Sequence, residues 1–276
     1  MTPDGMTGFS QFLTSQEGAL RSGVFFGLLI LFLALERLRP RRRQQVSARH
    51  FISNLAFGVL NAVILRFALP GGLVLLAIWF QTANPMVGLM GWLNLPPFVE
   101  FIACLVLLDL VLYWQHRLFH QIDFFWKFHS AHHGDRNLNV SSGVRFHPGE
   151  ALVSLAVKAV AIMALGVPVA AIILFEVLLN AASLFNHANW SLGRLDAYLQ
   201  KLIVTPDMHR LHHSRLETES RKNFGFFLSG WDTLFNSYKA HPDSPHSDIA
   251  LGLDDMPDDG FVQTLQRPFK PSARKT

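Results

Sequence analysis

The chain has 276 residues, 50% of them hydrophobic and only 16% charged, with 24 phenylalanines and a net charge of +4. Soluble domains average about 25% charged residues, so this composition excludes an ordinary soluble globule and points to a membrane protein with much of its length in polar loops. The single cysteine, Cys104, excludes an internal disulfide, and no Gly-, Ser- or Pro-rich linker divides the chain into separate folding units.

The first apolar run, 22–35, lies between Arg21 and Glu36. It is shorter than the roughly 20 residues a span needs, and crosses if Arg21 and Arg37 reach back to the interfaces. No basic start precedes it and the arginines follow it, which is not the pattern of a signal peptide. Those arginines gather in "RLRPRRRQQVSAR" (37–49), and "RPFKPSARK" (267–275) forms a second basic stretch. Basic residues beside apolar runs fix membrane orientation, so no nucleic-acid partner is expected. The second run carries no charge between Phe51 and Arg66. "LPGG" (69–72) then ends the helix, because Pro and Gly both disfavour it. The apolar piece 73–80 is expected near the far surface, and the connector 81–97 has no charge at all. By the positive-inside rule 37–49 is cytoplasmic, while 81–97 and the N-terminus are outside.

The third run, about 98–118, returns inward, interrupted only by Glu100 and Asp109 before His116. The region 151–187 is long enough for two helices that turn at "LGVPVA" (165–170), with both ends cytoplasmic. Segments 119–150 and 188–276 then share that face. From 241 the chain is rich in Pro, Asp and Ser and is expected to be loose. The expected organisation is an all-α membrane protein of four to five apolar helical segments. Membrane helices fill 1–98, a catalytic region with a cytoplasmic histidine-rich cap fills 99–240, and a tail fills 241–276.

Nine of the thirteen histidines fall in four places. His116 and His120 are four apart and project from one helix face. His129, His132 and His133 follow in "WKFHSAHH", His187 in "FNHANW", and His209, His212 and His213 in "MHRLHHSR". Any one alone reads most simply as a histidine with a local hydrogen bond. Together they suit first-row transition metals, and nine ligands suit two metals close together rather than one. A zinc hydrolase keeps three ligands plus water, and often a carboxylate base. These clusters lack the Glu of HExxH, so two all-imidazole metals point to iron and oxygen chemistry. Ligand type alone leaves zinc, copper and manganese open. The rival classes are a membrane metal-binding or metal-transport protein and a zinc-dependent lipid hydrolase. A transporter places ionisable ligands deep in its spans, whereas these nine gather at one end.

The chain resembles the fatty acid hydroxylase / sterol desaturase superfamily of integral membrane non-haem diiron oxygenases. "DLVLYWQHRLFH" (109–120) is similar to that family's HxxxH box, and "WKFHSAHH" (126–133) and "PDMHRLHH" (206–213) to its two HxxHH boxes. "RFHP" (145–148), "NHANW" (186–190) and "NFGFFLSGWDTLF" (223–235) match accessory motifs. The likeness covers about 100–240. It implies iron ligands at His116, His120, His129, His132, His133, His209, His212 and His213, with His187 as a ninth. A further histidine found near it in some members is absent, since 183 and 191 are both serine; water or Asn189 would fill that position. The resemblance also implies two ferrous ions that activate O₂, with electrons from NAD(P)H through a separate cytochrome- or ferredoxin-type protein. The dimetal centre itself does the chemistry, with no separate acid or base. Hydroxylation or desaturation of a lipid entering from the bilayer follows, with sterol, fatty acyl, ether lipid and carotenoid all open.

His147 opens "HPGEALV", with Pro148 at a first helical position and Glu150 in the first turn. It either caps that helix or lies beside the metals. His50, His241 and His246 read as structural or surface residues. Arg117, Arg145 and Arg210 are expected to pair with Asp109, Glu150 or Asp207, or to meet lipid headgroups, and Trp126, Trp190 and Trp231 to anchor at the interface. Asp109, Tyr113, His116 and His120 line one helix face, and Glu176, Asn180, Ser183 and His187 another. Intramembrane charges face the bundle with partners, so Asp109 and Glu176 either bond neighbouring helices, with Lys158 a partner for Glu176, or support ligands from behind.

Overall fold

A computed structural model describes residues 3–84, 88–253 and 260–270 of the chain. The N-terminal helix α1 (Pro3–Ser15) precedes α2 (Glu17–Leu38). At 22 residues α2 is about 33 Å long, enough to cross, and it extends past both ends of the apolar run 22–35. It can do so because its polar residues find partners. Arg21 bonds Glu17 at 3.0 Å and Glu176 at 2.9 Å. Glu36 accepts the backbone N–H groups of Val140 and Asn189 at 2.7 and 2.6 Å.

Helix α3 (Ala48–Ala68) is capped by Ser47, whose hydroxyl accepts the His50 N–H, and ends before the expected breaker. Gly71 and Gly72 there take φ of 88° and 68°, a left-handed turn that glycine makes at no steric cost. The chain then continues as α4 (Gly72–Ala83), a short α5 (Leu89–Leu93), α6 (Pro97–Gln121) and α7 (Asp123–His133). After a 3₁₀ turn (Val140–Val144), α8 (Pro148–Leu165) and α9 (Val169–His187) form the expected hairpin, turned by Gly166 at φ 73°. The short helices α10 (Asp196–Leu199), α11 (Pro206–His212), α12 (Glu217–Ser220), α13 (Gly230–Leu234) and α14 (Phe261–Gln266) complete the described chain. No strand occurs among the described residues; three isolated bridges pair loop residues.

Five helical stretches are long and apolar enough to cross a membrane: α2, Ala48–Ala83, α6, α8 and α9. Their outer faces expose Phe26, Ile30, Val59, Phe67, Trp79 and Val160, the apolar belt that lipid covers. Helix α9 is the most buried of the five and packs on α1, α2, α4, α6 and α11. The main core joins Leu73 and Ala77 of α4, Cys104 and Leu108 of α6, and Ala171 and Ile173 of α9. A smaller core seats Leu29 and Phe32 of α2 on Val140, Leu184 and Ala188.

Gly143 lies so close to α9 that a Cβ there would stand 2.7 Å from the Ser183 carbonyl. The Ser183 hydroxyl donates back to the Gly143 carbonyl at 2.6 Å. This contact locks the 3₁₀ turn against the last turn of α9.

The basic loop 37–49 folds onto the histidine-bearing cap. Pro40 and Trp190 form a bridge, Arg41 N donates to the Asn189 carbonyl, and Ser191 N to the Arg39 carbonyl. The arginine loop and the histidine segments therefore share one face. Within the charge-free connector, residues 85–87 lie outside the described residues, as do 254–259 and 271–276 of the tail. The described tail differs from the expected looseness. Ile249 and Leu251 pack on Leu138, Arg42 donates to the Ile249 carbonyl, and α14 buries Thr264. Enough apolar side chains lie between its Pro and Asp residues to hold it down.

Candidate metal centre

Four elements deliver the nine histidines, and each is positioned for a local reason. Helix α6 ends with His116 and His120 one turn apart, and α7 ends with His129, His132 and His133. Helix α9 ends at His187. Helix α11 starts under a Thr205 cap with Pro206 in its first turn, carries His209 and His212, and has His213 as its C-cap. All nine are buried, none more than 8% exposed.

They gather into two groups. His116, His120, His129, His133 and His212 form one; His132, His187, His209 and His213 form the other. Within each, one ring nitrogen per residue lies within 4.8 Å of all the rest. The groups adjoin: His133 and His213 stack with centroids 4.2 Å apart and planes 12° apart. Aromatic rings close the surroundings. Phe224 packs on His116, His120 and His212, Trp126 on His120, and Phe146 stacks on His132 at 4.4 Å.

Acceptors behind the rings fix their tautomers. His116 Nδ1 donates to the Phe224 carbonyl at 2.9 Å, His132 Nδ1 to the Arg145 carbonyl at 3.1 Å, His187 Nδ1 to the Ser183 carbonyl at 2.7 Å, and His212 Nδ1 to the Lys222 carbonyl at 2.8 Å. His129 Nδ1 meets Glu150 Oε1 at 2.8 Å. A carbonyl can only accept, so these rings carry their proton on Nδ1 and present a lone pair at Nε2.

The donor set fits a metal. The Nε2 atoms of His132 and His187 stand 3.0 Å apart, those of His187 and His209 3.0 Å, and those of His209 and His213 3.2 Å. His132 and His187 both hold their protons at Nδ1, so two lone pairs face each other and repel unless a cation lies between. Two nitrogens about 2.1 Å from one first-row ion, at right angles to each other, sit about 3.0 Å apart. In the five-histidine group the Nε2 atoms of His129 and His133 are buried without a hydrogen-bond partner among the described residues. Burial first, then neighbouring imidazoles, holds His132, His133, His209 and His213 well below the ordinary histidine pKa. All four are neutral, the form a metal requires.

The surrounding carboxylates act through the scaffold. Asp109 accepts the N–H groups of Phe227 and Leu228 at 3.2 and 3.0 Å and the Trp231 indole at 2.9 Å. Asp232 accepts from Phe224 N, Gly225 N and the Ser237 hydroxyl at 2.7, 2.8 and 2.6 Å. Together they latch the loop 223–235, whose Phe224 carbonyl orients His116. Burial pushes the Asp232 carboxyl up, against these hydrogen bonds. Glu176 bonds Lys158 at 2.5 Å as well as Arg21 and touches no histidine.

The Asn189 side chain is engaged by the arginine loop. It accepts from Arg42 N at 3.0 Å and donates to the Arg42 carbonyl at 2.8 Å. His147 caps α8: Nδ1 accepts Gly149 N at 2.9 Å and Nε2 meets the Leu265 carbonyl at 3.0 Å. Both of its nitrogens are thus used outside the cluster. Arg210 pairs with Asp207 at 2.7 Å, as expected. Arg145, fully buried, donates to the Ala131 carbonyl, Asn54 and Thr264.

Sequence reasoning missed two buried carboxylates. Glu150, 21 residues from His129, bonds its ring; only the fold brings the start of α8 to α7. Asp135 is buried among His50 (3.3 Å), Asn54 (3.1 Å) and Ser142 (2.7 Å). Burial alone would raise its pKa, but the His50 hydrogen bond and the Arg145 charge hold it well below the carboxylate range.

Residues 101–237, about half of the chain, match the model of the fatty acid hydroxylase family. An ornithine lipid hydroxylase of Rhizobium tropici is 30% identical over 182 residues, covering 65% of this chain and 53% of that protein. An alkylglycerol monooxygenase of Caenorhabditis elegans is 30% identical over 149 residues, covering 52% and 28%. A very-long-chain aldehyde decarbonylase of Oryza sativa subsp. japonica is 25% identical over 213 residues, covering 72% and 31%. The chain thus spans about half the length of the first of these relatives and under a third of the other two. No solved structure matches it. The matched region holds all nine clustered histidines and both latched ends of the 223–235 loop, and the chain belongs to the fatty acid hydroxylase family.

Proposed function

We propose that the chain is a membrane-bound diiron oxygenase that hydroxylates or desaturates a lipid. Its reductant reaches it from NAD(P)H through a separate cytochrome- or ferredoxin-type donor. The observation that carries this reading is the pair of adjoining, buried, all-imidazole groups whose Nε2 lone pairs converge. Two irons bound there would supply the O₂ activation and C–H oxidation. His116, His120, His129, His133 and His212 would hold one, and His132, His187, His209 and His213 the other. The Nδ1 acceptors keep the rings of His116, His129, His132, His187 and His212 turned inward. Phe146, Phe224 and Trp126 exclude water from the rings. Neither group contains a carboxylate, the usual base of a zinc hydrolase. The apolar outer faces of the spans bring a lipid rather than a soluble substrate to the site, and the relatives named for lipid hydroxylation and alkylglycerol oxidation support that class. The arginine loop sits on the histidine face, so the positive-inside rule makes that face cytoplasmic.

The test is metal analysis of protein purified without chelators, followed by O₂-dependent conversion of a lipid extract. Nine ligands predict about two irons per chain, since one ion takes roughly four to six. The product should be heavier by one oxygen atom or lighter by two hydrogens. His132→Ala and His212→Ala, one from each group, should each abolish turnover at normal expression. Zinc in place of iron, with lipid hydrolysis as the activity, would overturn the reading, as would full turnover in either variant.

A further inference from the structure

A cavity of about 230 Å³ lies between α2, α9 and the loops at 203–204 and 226–227. Leu28 and Phe32 wall it from α2, Ala182 and Phe185 from α9, and Val204 and Phe226 from the loops. Its one polar side chain, among the described residues, is Asn186, 2% exposed and next in sequence to His187. The Asn186 Nδ2 donates to the Phe226 carbonyl at 2.8 Å. That bond fixes the amide, since only the nitrogen can donate to a carbonyl. The Oδ1 is therefore an acceptor, buried in an apolar slot and without a donor among the described residues. Buried acceptors are rarely left this way. A water needs about two to four polar partners, and this slot offers one polar side chain among the described residues.

We propose that this slot binds the acyl chain of a lipid carrying an amide N–H or a hydroxyl, with that group donating to Asn186 Oδ1. Both flanking helices are membrane-spanning candidates, and Leu28 is part-exposed on α2, so the slot is reached from the bilayer. Apolar walls suit methylenes, and the single acceptor suits a single donor. The proposal rests on the lipid-oxygenase reading, in which the slot would select among lipids by one hydrogen bond.

The test uses the full chain, iron-loaded, in phosphatidylcholine nanodiscs and kept anaerobic so that nothing turns over. Binding of three radiolabelled probes is compared: N-hexadecanoylglycine methyl ester, methyl α-hydroxyhexadecanoate, and methyl hexadecanoate, which has no donor. The wild-type chain should prefer the two donor probes by roughly tenfold, about one hydrogen bond. Asn186→Leu should shrink that preference to under about twofold with methyl hexadecanoate still bound. Leu28→Trp fills the slot from its lipid edge without touching a hydrogen bond, and should weaken all three probes by about tenfold with iron content unchanged. No preference in the wild-type chain, a preference that survives Asn186→Leu, or unchanged binding in Leu28→Trp would each overturn the assignment. An aerobic arm separates the two readings. The binding pattern without O₂-dependent product leaves the slot and removes the oxygenase; O₂-dependent product without the pattern does the reverse.

Discussion

At the scale of single residues, what distinguishes these histidines is the acceptor behind five of the rings. The carbonyls of Phe224, Arg145, Ser183 and Lys222 come from four different segments, and Glu150 is the one carboxylate among the acceptors described. A charged acceptor raises the basicity of the ring it holds. Glu150→Gln keeps an oxygen there but loses the charge, and is expected to weaken iron retention by about 10- to 100-fold at unchanged expression, read by chelator titration. An identical chelator curve would remove Glu150 from the site. The buried neutral histidines also set a pH dependence. His132, His133, His209 and His213 resist protonation in the fold, but in the unfolded chain they protonate near pH 6.5. Their folded pKa values are depressed, so their contribution to stability is present above about pH 6.5 and falls as the pH drops below it. Metal-free protein should lose thermal stability between about pH 7 and 5.5, measured by a melting series. A melting temperature that rises over that interval would contradict the neutral cluster.

At the scale of elements, the loop 223–235 is the part of the site with the least structure of its own. Two carboxylates hold it, Asp109 from the middle of α6 and Asp232 from within. Gly225 is required at the second latch: a Cβ there would stand 2.8 Å from the Asp232 carboxylate. Asp109→Asn replaces one acceptor oxygen with a donor and leaves a buried N–H facing it, a loss of roughly 1–3 kcal/mol. The expected result is a less stable protein with less iron, because the Phe224 carbonyl no longer holds His116. Glu176→Gln removes the charge that faces Arg21 and Lys158 about three turns before His187. It should lower stability with iron retained. Equal iron loss in both variants would show that the two carboxylates act only through general packing. The helical stripes that place Asp109 and Glu176 on interior faces are legible from spacing. The partners are not, since Asp109 meets a segment 118 residues further along the chain.

At the scale of the whole molecule, the arginine loop at the end of α2 and both histidine boxes lie on one face, while Gly88 and the α8–α9 turn at Gly166 meet at the other. The native Cys104 is buried and leaves a labelling background close to zero. Trp92→Cys in α5 and Glu217→Cys in α12 are both exposed positions. In intact cells the first should react with an impermeant maleimide and the second only after lysis. The reverse pattern would invert the proposed orientation while leaving the shared face intact.

Composition and periodicity by themselves determined that this is a helical membrane protein. They also determined where the spans run, that "LPGG" and "LGVPVA" turn the chain, and that nine histidines gather at one end. These are local properties: hydropathy over some twenty residues, the conformational range of Gly and Pro, the 3.6-residue turn. The structure alone decided how the nine divide into five and four, with His132 and His133 parted between groups although adjacent in sequence. It also decided that Asn189 and His147 are spent elsewhere, that the 241–270 stretch is held in place over its described residues, and that Glu150 stands behind His129. Each of these depends on which distant backbone carbonyl or carboxylate lies within hydrogen-bond reach, and that distance is set by packing between helices far apart in the chain.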